Sequence, residues 1–270
     1  MCSRIQHQYE GAILTPALWK GDAIAGLEQI ELDFTNIPPF KGQINPNLVL
    51  GKRAETFIEH VLKHAPRYNL IASNIQLQDQ KKTIGELDYI LFDNKDNTYI
   101  HLELVSKFYV YLDNGTDKEI QHWVGPNRKD NFEDKLKKLN SKQLPILYHP
   151  ITRATLEKIN IDVNIVKQKV YYQGQLFIPY GPQKKYKTVN NDCIYGYYFK
   201  AYELTKKAFD NYLFYLPEKQ DWYSDPSQHN IWEDFDTIRI KIGTALGSKK
   251  SPLVWMKTDN AIEKFIVVWW

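Results

Sequence analysis

Two acidic residues stand where apolar ones are expected. In the segment GELDYILFD, Asp88 falls among Leu87, Tyr89, Ile90, Leu91 and Phe92; in YIHLELVSKFYVYL, Glu103 sits between Leu102 and Leu104. Strand side chains alternate between faces, so Glu86, Asp88, Ile90 and Phe92 share one face and Leu87, Tyr89 and Leu91 the other. On the second segment His101, Glu103, Val105, Lys107 and Tyr109 share a face. A carboxylate in such surroundings is costly unless it is paired or bound to a metal. If the two segments form a hairpin, Asp88 and Glu103 face each other across the ladder, where they cannot both ionise cheaply. A divalent cation removes that conflict, and hard oxygen ligands suit Mg²⁺ or Mn²⁺. Glu55 offers a third carboxylate, at the edge of a helical apolar stripe; Glu59, one turn later, lies further onto the polar side.

The elements that must position these groups follow from periodicity. Residues 47–65 read as a helix, with Asn47 as cap and Pro66 as stop, because Leu50, Ala54, Phe57, Ile58, Val61 and Ala65 recur at helical spacing. Strands are expected over 69–78, 86–92 and 99–111, joined by polar turn segments at 79–83 and 93–97. After Gly125-Pro126 a second helix is expected, capped by Asp130 or Asn127, with Phe132, Leu136, Leu139 and Gln143 on one face. The run 144–148 reads as a further short strand, giving the order α-β-β-β-α-β.

Residues 1–46 read as a lead-in packed on the core, with short helical pieces at 16–20 and 24–30. Residues 47–150 form the expected core, and 151–270 an α+β extension of unassigned role. In that extension, 163–172 and 175–178 read as a hairpin about Gln173-Gly174. Residues 200–211 and 230–246 read as helices, 253–256 and 261–269 as a strand pair, and 181–185 as an exposed loop.

A helix carrying Glu55, a strand carrying Asp88, a strand carrying Glu103 and a following helix resemble, over about residues 47–147, the PD-(D/E)XK restriction-endonuclease-like superfamily. More closely, GELDYILFD, HLELVSKFYVYL, WVGPNRKD and DKLKKLNSKQLPI resemble the signature of a bacterial family designated domain of unknown function 1853. The resemblance implies an α/β (α+β) fold: a restriction-endonuclease-like core with a central mixed sheet flanked by helices, plus an α+β C-terminal region. It also implies Mg²⁺- or Mn²⁺-dependent hydrolysis of phosphodiester bonds in DNA or RNA. Asp88, Glu103 and the backbone carbonyl of Leu104 would hold the ion, with Glu55 binding it directly or through water. Lys107 would orient or activate the attacking water, and Gln143 would hydrogen-bond the site or the substrate backbone. The superfamily lysine normally follows the Glu by two positions, where this chain has Val105. Lys107 is four positions on, about 13 Å along an ideal strand rather than about 7 Å.

Other readings of the same residues stay open. Asp88 and Glu103 suit a structural ion pair with Lys107 or His101; Glu55 suits an ordinary helix surface; Lys107 suits a salt bridge. Arg128, Lys129, Lys135, Lys137, Lys138 and Lys142 make the second helix basic, which fits either a solvated face or a flank that contacts phosphate, Arg128 and Lys135 being the substrate-binding candidates. The seven histidines show no HExxH or other ligand spacing. A catalytically inactive protein of the same fold, binding nucleic acid or another protein, is the alternative to a nuclease.

Composition bounds these readings without choosing among them. With 35 Lys+Arg against 32 Asp+Glu, the net charge of +3 is too mild to argue for nucleic acid by itself. Two cysteines exclude a disulfide framework and a cysteine-rich zinc site. No apolar run approaches a membrane span or a signal peptide, so the expected setting is the reducing cytoplasm, with no membrane partner. Oligomeric state is not legible.

Overall fold

The structure is a computed structural model and describes residues 4–21, 23–80, 82–181, 185–226 and 229–270. The fold is mixed α/β, with parallel and antiparallel strand pairs in its sheet and helices flanking it. The chain divides into two compact units, neither of them a single stretch: residues 19–106 with 134–173, and residues 1–18 with 107–133 and 174–270. Helix α1 spans Arg4–Ile13, α2 Leu50–His64, α3 Phe132–Lys138, α4 Pro150–Glu157, α5 Lys206–Phe209 and α6 Phe235–Gly247. The strands are β1 Tyr68–Asp79, β2 Lys82–Asp93, β3 Thr98–Tyr111, β4 Trp123–Val124, β5 Lys167–Pro179, β6 Ile194–Lys200, β7 Leu213–Tyr215, β8 Leu253–Lys257 and β9 Ile262–Val268.

The unit of residues 19–106 and 134–173 carries the acidic residues. Its α2 buries Ala54, Phe57, Ile58 and Val61 of the predicted stripe completely, with Leu62 beside them, while Leu50 is half-buried. Strand β1 pairs antiparallel with β2 from Tyr68↔Asp93 to Asp79↔Lys82, and β2 with β3 from Tyr89↔Leu102 to Asp93↔Thr98. The β2–β3 turn is held chemically. The Asp93 carboxylate accepts the N–H of Lys95 and of Asp96, Arg67 grips it from the side, and Asn97 takes φ 49°. Leu77, Leu87, Ile90, Leu147, Leu156, Ile161, Val163 and Val166 form a core cluster on this unit.

In the other unit, β5 pairs parallel with β6, β6 parallel with β9, and β9, β8 and β7 follow antiparallel. Phe214, Phe235, Ile238, Val254, Phe265 and Val267 make its core under α6. Asp234 caps α6 by accepting the N–H of Thr237. Lys264 of β9 is 3% exposed. It donates to Gln175 Oε1 and to the Trp222 carbonyl at 2.7 Å, within 5.0–5.8 Å of the Trp255, Tyr195 and Phe108 rings.

Several expectations are corrected. Residues 16–20 and 24–30 are not helical; the N-terminal helix is Arg4–Ile13, and Ala25 and Gly26 take φ 52° and 77°, which no helix continues. Helix α2 begins at Leu50 after Val49, not at Asn47: the Arg53 guanidinium collects the carbonyls of Asn45, Pro46 and Leu48 and so fixes the entry. The run 144–148 is a 3₁₀ turn, since Pro145 has no N–H to give a central strand. Residues 163–178 are not a hairpin: β5 runs straight through Gly174, where an added Cβ would meet Leu18 Cδ1 at 3.0 Å. That glycine serves a close approach, not a turn. The helix expected over 200–211 is only a 3₁₀ turn and the four-residue α5, and that over 230–246 starts at Phe235. Residues 182–184 of the expected exposed loop, and Lys81 of the 79–83 turn, lie outside the described residues.

Candidate metal centre

Strand β2 presents Glu86 and Asp88 on one face, and α2 presents Glu55 toward it. Ligand oxygens of Glu55, Glu86 and Asp88 all lie within 4.8 Å of one another. Helix α2 is held to the strand by the Tyr89 hydroxyl, which donates to the Glu55 carbonyl at 2.7 Å. Asp88 is 8% exposed, and its Oδ2 accepts the Leu104 N–H at 2.9 Å. Burial, then the charges of Glu103 and Glu55, push the Asp88 carboxyl up to about 8; the Leu104 N–H and Lys52 oppose this. Burial likewise raises Glu55, against the pull of Lys52. Lys52 Nζ lies 2.5 Å from Glu55 Oε2 and 3.2 Å from Glu86 Oε1.

The β2–β3 pairing ends at Tyr89↔Leu102, and Asp88 and Glu103 are the next residue of each strand. Glu103 is fully buried and fully engaged. Its Oε1 contacts His101 Nε2 at 3.0 Å, and its Oε2 accepts from Gln143 Nε2 at 2.6 Å. Gln143 Oε1 accepts in turn from Lys135 Nζ at 2.6 Å. Gln168 Nε2 reaches His101 Nδ1 at 3.2 Å and the Leu144 carbonyl at 2.6 Å. A proton on His101 Nε2 and none on Nδ1 satisfies both ring nitrogens. Gln143 reaches Glu103 from residues 139–143, one wide π-helical turn that continues α3. Such turns carry one extra residue and re-aim the side chains beyond them.

The structure brings Glu55 and Asp88 together with Glu86, while Glu103, whose charge acts on Asp88, is locked to His101 and Gln143. Leu104 meets Asp88 through its N–H. Lys107 belongs to the other compact unit, where it ion-pairs with Asp130. Arg128, in that unit too, stacks its guanidinium 3.7 Å from the Trp270 ring. Lys137, Lys138 and Lys142 are exposed, while Lys135 leans on Gln143. Glu86 and Lys52 are the residues that sequence reasoning did not assign. The signal for each was spacing: Glu86 is two positions from Asp88 on a strand, and Lys52 three from Glu55 on a helix.

Carboxylate oxygens are the donors that Mg²⁺ and Mn²⁺ take. A dication among the three would offset the burial and the neighbouring negative charges that raise the Asp88 carboxyl, so the residues fit such an ion. Among the described residues, no helix is long and apolar enough to cross a membrane.

No curated protein and no solved structure matches this chain. A family model described as Domain of unknown function (DUF1853) matches residues 4–263, nearly the whole sequence, and the chain belongs to that family.

Proposed function

We propose that this protein is a Mg²⁺- or Mn²⁺-dependent nuclease that hydrolyses phosphodiester bonds in DNA or RNA. The observation that carries the reading is the convergence of Glu55, Glu86 and Asp88 in a setting where Asp88 cannot ionise freely. The order of Glu55, Asp88 and Glu103 along helix and strands, which resembles the PD-(D/E)XK pattern, supports the same reading. When bound, the ion supplies a Lewis acid for the phosphate and a water of lowered pKa. Glu55, Glu86 and Asp88 hold it. Glu103 fixes Gln143, and Gln143 the Lys135 ammonium, and in this reading that cation serves the anionic backbone of the substrate.

The test is direct. Purified protein with Mg²⁺ or Mn²⁺ is offered single- and double-stranded DNA and RNA, and cleavage is followed on denaturing gels. Cleavage is expected for the native chain and not for Asp88→Asn or Glu86→Gln. Undiminished cutting by both variants sinks the assignment.

A second reading, a catalytically inactive module that binds nucleic acid or a protein, draws on the pairing of Lys107 with Asp130, which occupies the ammonium expected to serve the water. Saturable nucleic-acid binding without cleavage at any divalent-ion concentration favours that reading.

A further inference from the structure

The acidic cluster already contains a cation of its own. Lys52 sits in the first turn of α2, three residues before Glu55, so both side chains leave the same helix face. Its ammonium bridges two elements: it lies 2.5 Å from Glu55 on the helix and 3.2 Å from Glu86 on β2. The Lys52 side chain is 40% exposed, whereas those of Glu55 and Glu86 are 16% and 24% exposed. The carboxylates are therefore held by the fold, and the ammonium is the member with room to leave.

We infer that the Lys52 ammonium is a built-in counter-ion of the Glu55–Glu86–Asp88 cluster, which an incoming divalent cation must displace and which sets the affinity and charge selectivity of the site. The inference rests on the metal-binding reading proposed above. The geometry favours the exchange. An ion that coordinates Glu55, Glu86 and Asp88 together occupies the space among oxygens lying within 4.8 Å of one another. An ammonium within 3.2 Å of the Glu55 and Glu86 carboxylates competes for two of those three ligands and repels it. A monovalent ion gains nothing by the exchange, since it replaces one unit of charge with another. A divalent ion gains a net unit among carboxylates that burial and their neighbours keep short of positive charge. Asp88 marks where that extra charge is wanted: its only hydrogen bond among the described residues comes from the Leu104 N–H, so the carboxyl has acceptor capacity left over.

The experiment is isothermal titration of Mg²⁺ and Mn²⁺ into the native chain, Lys52→Met, Lys52→Arg and Lys63→Met, with melting temperature measured in EDTA and in saturating Mg²⁺. Lys63 lies near the far end of the same helix, paired with Glu59, and its removal reports the effect of losing a charge at a distance. Lys52→Met is expected to bind Mg²⁺ roughly fivefold more tightly than the native chain, the size of one modest ion pair removed as a competitor. It should also melt lower in EDTA and show a larger Mg²⁺-induced rise. Lys52→Arg and Lys63→Met should stay within about twofold of native affinity. Equal or weaker binding by Lys52→Met, or an equal gain in Lys63→Met, overturns the inference and leaves the metal site standing. Absence of divalent-ion binding in the native chain and in every variant overturns the metal site together with it.

Discussion

Replacing Asp88 by Asn should stabilise the metal-free protein at neutral and alkaline pH, although it alters the most buried member of the cluster. The Asp88 carboxyl is raised from its ordinary 3.8 to about 8, first by burial and then by Glu103 and Glu55. A carboxyl whose folded pKa exceeds its unfolded one binds its proton more tightly in the native state. Its favourable contribution is complete below about pH 4 and is lost as pH climbs toward 8, because only the unfolded chain releases the proton freely. At about 1.4 kcal/mol per pH unit, the roughly three units between pH 4 and pH 7 amount to on the order of 4 kcal/mol. Asparagine carries no charge to bury, and its Oδ1 still accepts the Leu104 N–H that Oδ2 now takes at 2.9 Å. Urea unfolding in EDTA from pH 4.5 to 8.5 tests this. The midpoint of Asp88→Asn should match the native one near pH 4.5 and exceed it increasingly toward pH 8. Saturating Mg²⁺ should then cancel the native chain's deficit, because the ion favours the charged carboxylate. A gap that does not change with pH, or an Asn variant weaker than native at pH 8 in EDTA, refutes the argument.

The buried Lys264 should show the opposite slope. Burial lowers its amine from 10.5 to about 7. A depressed base leaves the folded state neutral while the unfolded chain stays charged, so native stability rises with pH between about 7 and 10. Lys264→Met should lack that rise when urea midpoints are compared at pH 7, 8 and 9; identical slopes in the two proteins exclude the assignment. Asp93→Ala should cost about 2 kcal/mol at pH 7, since it frees Arg67 and the N–H groups of Lys95 and Asp96 at once. Asp93 is held below its usual range, first by the Arg67 hydrogen bonds, so its contribution exists above about pH 4 and fades as pH falls through the lowered value. The gap between native and variant should therefore close in acid, as read by denaturant midpoints.

Helix α2 and the three following strands were readable from their apolar patterning and from the polar turns between them. The buried face of α2 carries Ala54, Phe57, Ile58 and Val61 at helical spacing, and β2 and β3 are apolar runs joined by a turn rich in Asn and Asp. Asp88 and Glu103 were visible as charges out of place within those periods. Glu86 was not, because a glutamate beside Gly85 at the end of an apolar run looks like an ordinary strand start. Lys52 was hidden for a related reason: a lysine in the first turn of a helix is usually a solvated one. The failures elsewhere came from residues with two uses. Gly174 reads as a turn residue but is needed for its missing Cβ, and the apolar run 144–148 suits a strand until Pro145 is counted. The wide turn at 139–143 has no marker in composition, because it depends on what Gln143 must reach and not on local preference.

That wide turn makes the centre sensitive to length as well as to chemistry. A helix advances about 100° per residue. Deleting one residue from 139–142 would let the segment relax into α-helical phase and swing Gln143 by about a quarter turn away from the carboxylate it now holds at 2.6 Å. Every side chain of the polar relay would survive such a deletion, and the relay itself would not; spacing there is as much a functional quantity as residue identity.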